Sequence, residues 1–180
     1  SNAAIQYSRG CPFNCEFCDI TKLFGRVPRT KLPKQITKEL DSLLEENYGD
    51  SVFIVDDNFI GNKKEVRKLL PILSQWGEKN NYPFTFFTEA STNLAWNENK
   101  DILEKMVDAG FEEVFIGLES VDKDVLEGMG KRQNTKMSPL ESVRRMQEAG
   151  LGVSSGFIVG SDEDKPDVFE RLYKFIQESG

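Results

Sequence analysis

The 180-residue chain contains no histidine. That excludes Ser-His-Asp and Cys-His catalysis and every metal site built on imidazole. Cations are in deficit: 23 Lys and Arg stand against 30 Asp and Glu, a net charge of −7. Such a chain is no general nucleic-acid binder, because phosphate contacts need clustered Lys and Arg. No uninterrupted apolar run approaches the roughly 18 residues that span a bilayer, which excludes a transmembrane segment in this stretch. Cysteine is scarce too: there are three, and an odd number does not make a secreted disulfide framework.

What is present reads as a folded domain. Hydrophobic residues make up 38% and charged residues 29%, a balance that buries a real core. No linker marks a second domain. Ser1-Asn2-Ala3 reads as the protease scar of an expression tag. The expected core domain therefore runs from residue 4 to 180, as a piece of a longer protein. Charge is uneven. Residues 1–36 hold six basic residues and two acidic ones, a local +4 that leaves −11 on the rest. That basic end is either a solvated face or a surface that meets something anionic.

All three cysteines fall in one window, Cys11-Pro-Phe-Asn-Cys15-Glu-Phe-Cys18. Thiolates at this density suit a soft metal, zinc or iron–sulfur. Structural zinc takes four ligands, and no fourth Cys or any His exists here. A cubane cluster normally takes one cysteine per iron. Three cysteines leave one iron open for a ligand from outside the protein.

Strand and helix patterns alternate along the chain. The apolar periods predict strands at Ala4–Ser8, Val52–Val55, Phe84–Thr88, Val114–Leu118 and Val153–Val159. Residues 19–35, with Pro28 and Pro33, read as loop. Helices are expected around Ile36–Leu44 with Gly49 as the stop, Val66–Trp76, Ile102–Val107, Asp122–Glu127, after the cap Ser138, and through Phe169–Ile176. Pro71 predicts a kink or a later start for its helix. This is an α/β pattern of five βα units: a parallel sheet covered by helices.

In such folds chemistry sits at the C-terminal ends of the strands. There the chain places the cysteine loop, Asp56-Asp57-Asn58, Glu89, Glu119-Ser120 and Gly156-Phe-Ile158-Val-Gly160. Each acidic or hydroxyl group has a plainer reading, as a turn former, helix cap or solvated loop residue. Arg26 and Arg29, just past the cysteines, are candidates for a carboxylate or phosphate, or simply solvated.

The Cys-x3-Cys-x2-Cys spacing with Phe17 before the last cysteine resembles the radical S-adenosylmethionine superfamily. So does the Gly156-x-Ile158-x-Gly160 strand, in the expected order. The resemblance implies a partial (β/α) barrel with parallel strands and about five to six βα units. It implies a 4Fe–4S cluster on Cys11, Cys15 and Cys18, with S-adenosylmethionine on the open iron. It assigns Phe17, Asp56, Asp57, Asn58, Glu119, Ser120, Gly156, Ile158 and Gly160 to that cofactor, and leaves Arg26, Arg29 and Glu89 as further contacts. The expected Gly-Gly-Glu-like loop after the second strand is replaced by Asp56-Asp57-Asn58. Cys18-Asp-Ile, Gly25-Arg-Val-Pro-Arg29 and Val55-Asp-Asp-Asn-Phe59 resemble the branch fused to an N-terminal cobalamin-binding domain, which moves methyl groups to unactivated carbons of small molecules or lipids such as hopanoids. That domain is absent from this chain. The implied partners are the substrate and an electron donor such as flavodoxin or ferredoxin, and the implied compartment is the cytoplasm. Sulfur insertion, cyclisation, or a non-enzymatic thiol/zinc module are the alternatives.

An open iron makes the cluster oxygen-sensitive. Prolonged aerobic handling of the reconstituted chain is expected to bleach its iron–sulfur absorption and leave the three cysteines free or oxidised. Iron and sulfide assays before and after exposure to air check this.

Overall fold

The computed structural model describes residues 2–180. Seven strands and seven helices follow in order: β1 (Ala3–Ile5), β2 (Ser8–Arg9), α1 (Ile20–Phe24), β3 (Arg29–Thr30), α2 (Pro33–Glu45), β4 (Val52–Ile54), α3 (Lys63–Lys79), β5 (Phe86–Ala90), α4 (Lys100–Asp108), β6 (Phe111–Glu119), α5 (Lys123–Gly128), α6 (Pro139–Glu148), β7 (Gly152–Phe157) and α7 (Val168–Ser179). The main sheet is parallel throughout, in the order β1-β4-β5-β6-β7. Each new strand is laid beside the last, so right-handed crossovers add up to curvature in one sense. This is the α/β partial barrel expected from the sequence.

The two faces of the sheet differ. Val52, Ile54, Phe86, Val114 and Ile116 are buried in a core shared with Leu69, Leu70, Leu73, Ile102 and Met106 from the helices. The alternate residues face the other way. Phe53 and Phe87 stack there with ring centroids 4.6 Å apart, and Glu89, Glu113 and Phe115 follow them at exposed positions. Period-two alternation thus divides a covered outer face from an open inner one.

Several boundaries differ from the sequence expectation. Ala4–Ser8 is not one strand: β1 ends at Ile5, and Ser8–Arg9 pairs antiparallel with Arg29–Thr30. Ala3, set aside with the tag residues, pairs with Val52, while Ser1 lies outside the described residues. The 19–35 segment carries α1, a short helix with no buried residue and hence no apolar period to read. Asn47 (φ 56°), not Gly49, makes the left-handed turn after α2. Pro71 lies inside α3 and does not end it. The buried stripe Val66, Leu69, Leu70, Leu73 and Trp76 holds that helix to the sheet and outweighs one lost hydrogen bond. Ser138 does cap α6, accepting from Glu141 N at 3.1 Å.

Helices α3 and α4 are joined by a two-pronged ion pair: Arg67 Nε donates to Asp101 Oδ2 at 2.8 Å and Nη2 to Oδ1 at 2.9 Å. The guanidinium, with Lys105 beside it, holds the Asp101 carboxyl down at about 2. A depressed carboxyl stabilises the fold above its unfolded pKa and loses that contribution as pH falls through its folded value. Asp101→Asn is therefore expected to lower Tm modestly at pH 6, with the difference vanishing as pH drops from about 4 to 2. Thermal unfolding of both chains across that range measures it; a difference independent of pH would refute the ionic account.

Candidate active site

The loop bearing the cysteines is irregular, so its backbone must be held from outside. Asp56, buried at the end of β4, accepts from Tyr7 N (2.7 Å), Ser8 N (2.8 Å) and Ser8 Oγ (2.6 Å). Burial pushes its carboxyl up, against the pull of these donors. Asp57 Oδ2 accepts from Gly10 N at 2.9 Å. Gly10 turns the chain at φ 106°, where a Cβ would stand 2.9 Å from Gly25 O, so only glycine fits. Arg26 then donates to Pro12 O at 3.0 Å, and Glu16 N donates to Met129 O at 3.0 Å.

So held, Cys11, Cys15 and Cys18 are free, half-buried thiols on the wall of one cleft of about 180 Å³. Phe13, Phe17, Asp57, Asn58, Glu89, Ser91, Phe115, Glu119, Lys131 and Gln133 complete it. Burial raises the Cys11 thiol. Side-chain amides approach two sulfurs: Asn58 Nδ2 lies 3.7 Å from Cys11 Sγ, and Gln133 Nε2 lies 3.5 Å from Cys15 Sγ. Among the described residues, no three Cys, Asp or Glu side chains converge tightly enough for a single metal ion. A cubane does not require that convergence, since its thiolates bind separate irons; zinc does. The three-thiol donor set, with an amide N–H donor beside two of its sulfurs, fits such a cluster.

The opposite wall is the end of β6. The β6–β7 register slips between Gly117 and Glu119, and Glu119 adopts φ 63°. That left-handed bulge folds the Glu119 side chain back over Gly117, where a Cβ would stand 2.7 Å from Lys131 Nζ. Glu119 and Lys131 form an ion pair with side chains only 11% and 10% exposed. Lys131 Nζ also lies 5.5 Å from the centroid of Phe17, across the cleft. At the mouth, partial desolvation and the neighbouring Asp57 raise the Glu89 carboxyl.

Not every residue singled out from the sequence meets here. Asp56 is spent on Tyr7 and Ser8, the turn-holding alternative. Ser120 Oγ accepts from Asp122 N at 3.0 Å and shapes the turn before α5. Arg26 braces the cysteine loop, and Arg29 sits exposed in β3. Gly156 leaves room for the Phe115 ring, whose Cζ would be 3.1 Å from a Cβ there. Ile158 lines an adjoining cleft of about 350 Å³ with Phe17, Met129 and Glu163. Gly160 lies in the open, its N–H donating to Asp164 Oδ2 at 2.7 Å.

Sequence reasoning missed Lys131, Gln133 and Asn134. They lie in a connecting turn with neither period nor motif, and the turn is placed by Asn134, whose Nδ2 donates to Gly117 O and Leu118 O at 3.0 Å each. A roomier cavity, about 500 Å³ between Trp96 and Arg145, lies on the helical side away from the thiols.

Removing one partner of a buried ion pair strands the other charge. Lys131→Met is expected to destabilise the chain by about 3–5 kcal/mol, with Lys131→Met/Glu119→Gln recovering most of it. Urea unfolding of the three chains measures the coupling; equal stability of both variants would mean the pair is solvated.

With this geometry in hand, comparisons with known proteins place the chain. A family model described as the radical SAM superfamily matches residues 5–176. An uncharacterized methyltransferase of Synechocystis is 47% identical over 98% of this chain and 32% of its own length. The hopanoid C-2 methylase of Rhodopseudomonas palustris is 44% identical over 98% of this chain and 33% of its own. The chain thus spans about a third of these relatives. The methyltransferase TsrM of Kitasatospora setae, solved with cobalamin and a 4Fe–4S cluster, shares the fold at TM-score 0.80 and 16% identity, over 100% of this chain and 35% of that one. The cobalamin-dependent radical enzyme OxsB shares it at TM-score 0.79 and 22% identity, over 97% and 26%. The cysteine spacing, the parallel partial barrel and the family match over nearly the whole chain together make this protein a member of the radical S-adenosylmethionine superfamily.

Proposed function

We propose that this chain is the core of a radical S-adenosylmethionine methylase, with Cys11, Cys15 and Cys18 holding a 4Fe–4S cluster whose fourth iron takes S-adenosylmethionine. The observation that carries the reading is the gathering of three thiols and the ends of three parallel strands around one cleft. When bound, the cluster supplies one electron that splits the cofactor into methionine and a deoxyadenosyl radical. Asp57 and Glu89 offer adjacent carboxylates to the cofactor's ammonium, a positive charge that would offset the desolvation and the Asp57 repulsion that raise Glu89. Lys131 orients Glu119, whose two oxygens accept the ribose hydroxyl protons. Phe17 and Ile158 present exposed apolar surface for the adenine. No side chain acts as a general acid or base; the residues position the reactants and exclude water.

The similarity to a hopanoid methylase and to an uncharacterized methyltransferase supports methyl transfer to an unactivated carbon, with cobalamin as the methyl carrier on a separate domain of the longer protein. A small-molecule or lipid substrate fits that chemistry. The electron comes from a low-potential donor of the flavodoxin or ferredoxin class. No helix among the described residues is long and apolar enough to cross a membrane, and a site of reduced thiols points to the cytoplasm.

The test is electron paramagnetic resonance after anaerobic reconstitution with iron and sulfide. The reduced chain is expected to give a cubane signal that changes on adding S-adenosylmethionine and is lost in Cys15→Ala. A signal indifferent to the cofactor, or stoichiometric zinc in its place, would overturn the reading.

A further inference from the structure

Two side chains in the cleft, Asn58, which the resemblance assigned to S-adenosylmethionine, and Gln133, bring amide nitrogens to the thiols. Asn58 is 3% exposed and Gln133 7%. Buried amides of this kind must direct their N–H groups at acceptors. Ser91 Oγ donates to Asn93 Oδ1 at 2.5 Å, which uses its one hydrogen. It accepts from Asn58 Nδ2 at 3.1 Å, with Asn58 Oδ1 farther off at 3.4 Å. The shorter contact favours the amide orientation that puts Nδ2 toward Ser91, and in that orientation Nδ2 also lies 3.7 Å from Cys11 Sγ.

Gln133 is fixed by a different framework. Its backbone oxygen accepts from Thr92 Oγ1 at 3.4 Å. The next residue, Asn134, is clamped to the β6 carbonyls, and its Oδ1 shares that one Thr92 hydroxyl hydrogen at the shorter distance of 2.7 Å. From this turn Nε2 reaches Cys15 Sγ at 3.5 Å. The two sulfurs are thus met by N–H donors from opposite sides of the cleft, one from the end of β4 and one from the turn after α5.

We propose that Asn58 and Gln133 are positioning residues that donate N–H···S hydrogen bonds to the Cys11 and Cys15 thiolates and thereby raise the reduction potential of the cluster those thiolates hold. The inference rests on the cluster reading above. One electron entering the cluster increases negative charge on its sulfur ligands. A donor aimed at the sulfur then binds the reduced form more strongly than the oxidised form, so the reduced form gains. An open-iron cluster that must accept an electron from a soluble one-electron donor needs that help most.

The experiment is a redox titration of the anaerobically reconstituted 180-residue chain without S-adenosylmethionine, reduced stepwise with dithionite and followed by electron paramagnetic resonance. Gln133→Leu keeps the volume and removes the donor. At a fixed potential it is expected to shift the reduced-to-oxidised ratio about tenfold toward oxidised, a midpoint lower by ~59 mV for one electron. Asn58→Leu is expected to move it in the same direction. In chain exchanged into deuterium oxide, each variant should also lose one set of deuteron couplings to the reduced cluster, a change that a merely structural role would not produce. Variants that load a full cluster with the parent midpoint would overturn the proposal and leave the cluster reading intact. A parent chain that takes up no cluster would overturn both. If Asn58→Leu fails to load iron, the Gln133→Leu comparison decides.

Discussion

One buried carboxylate governs where the cysteine loop begins, and the thiols depend on it. Asp56 takes two backbone N–H groups and a hydroxyl from the residues that follow β1. In doing so it stops the first strand and turns the chain out of the sheet. Each of those donors, left unpaired in the interior, would cost about 1–3 kcal/mol. Asp57 continues the grip one turn further, at Gly10. The cysteine loop therefore starts from a fixed point although it has no regular structure of its own, and the sheet supplies that point through a neighbouring strand.

The remainder of the site is assembled by the same device, loops tied to strand ends by side chains. Asn134 ties the turn after α5 to β6, and that turn in turn receives the cysteine loop through Met129 O. Parallel strands bring all their carboxyl ends to one side, so each tie lands near the others. The result is a cleft whose polar groups are already oriented before any cofactor arrives, which is the condition for chemistry that depends on positioning rather than on proton transfer.

Much of this was legible in the sequence. Three cysteines in eight residues, five apolar strands between amphipathic helices, and acidic groups at strand ends were all readable, because each depends on local spacing. The roles of individual residues were less so. Asp56 and Asp57 are adjacent and alike, yet one is consumed within the scaffold and the other lines the cleft; only the third dimension separates them. Lys131 and Gln133 carry no local signal, since what places them is Asn134 meeting carbonyls 16 and 17 residues earlier. Helix α1 buries nothing, so no hydrophobic period distinguishes it from a loop in the sequence. The split of the first strand follows from Asp56, some fifty residues away in sequence, and no nearby pattern announces it.

The bulge at the end of β6 also shapes how the protein tolerates change. Gly117 bears no functional group, yet the Glu119 carboxylate and the Lys131 ammonium occupy the space where its side chain would begin. Alanine there would push both charged groups off their shared position. Both are the tips of flexible side chains and can give way, so the consequence of alanine at Gly117 falls on the ion pair rather than on the strand. A surveyor of variants who weighed residues by their own chemistry would rank Gly117 as silent, and would overlook that its first side-chain carbon displaces the charges lining the cleft.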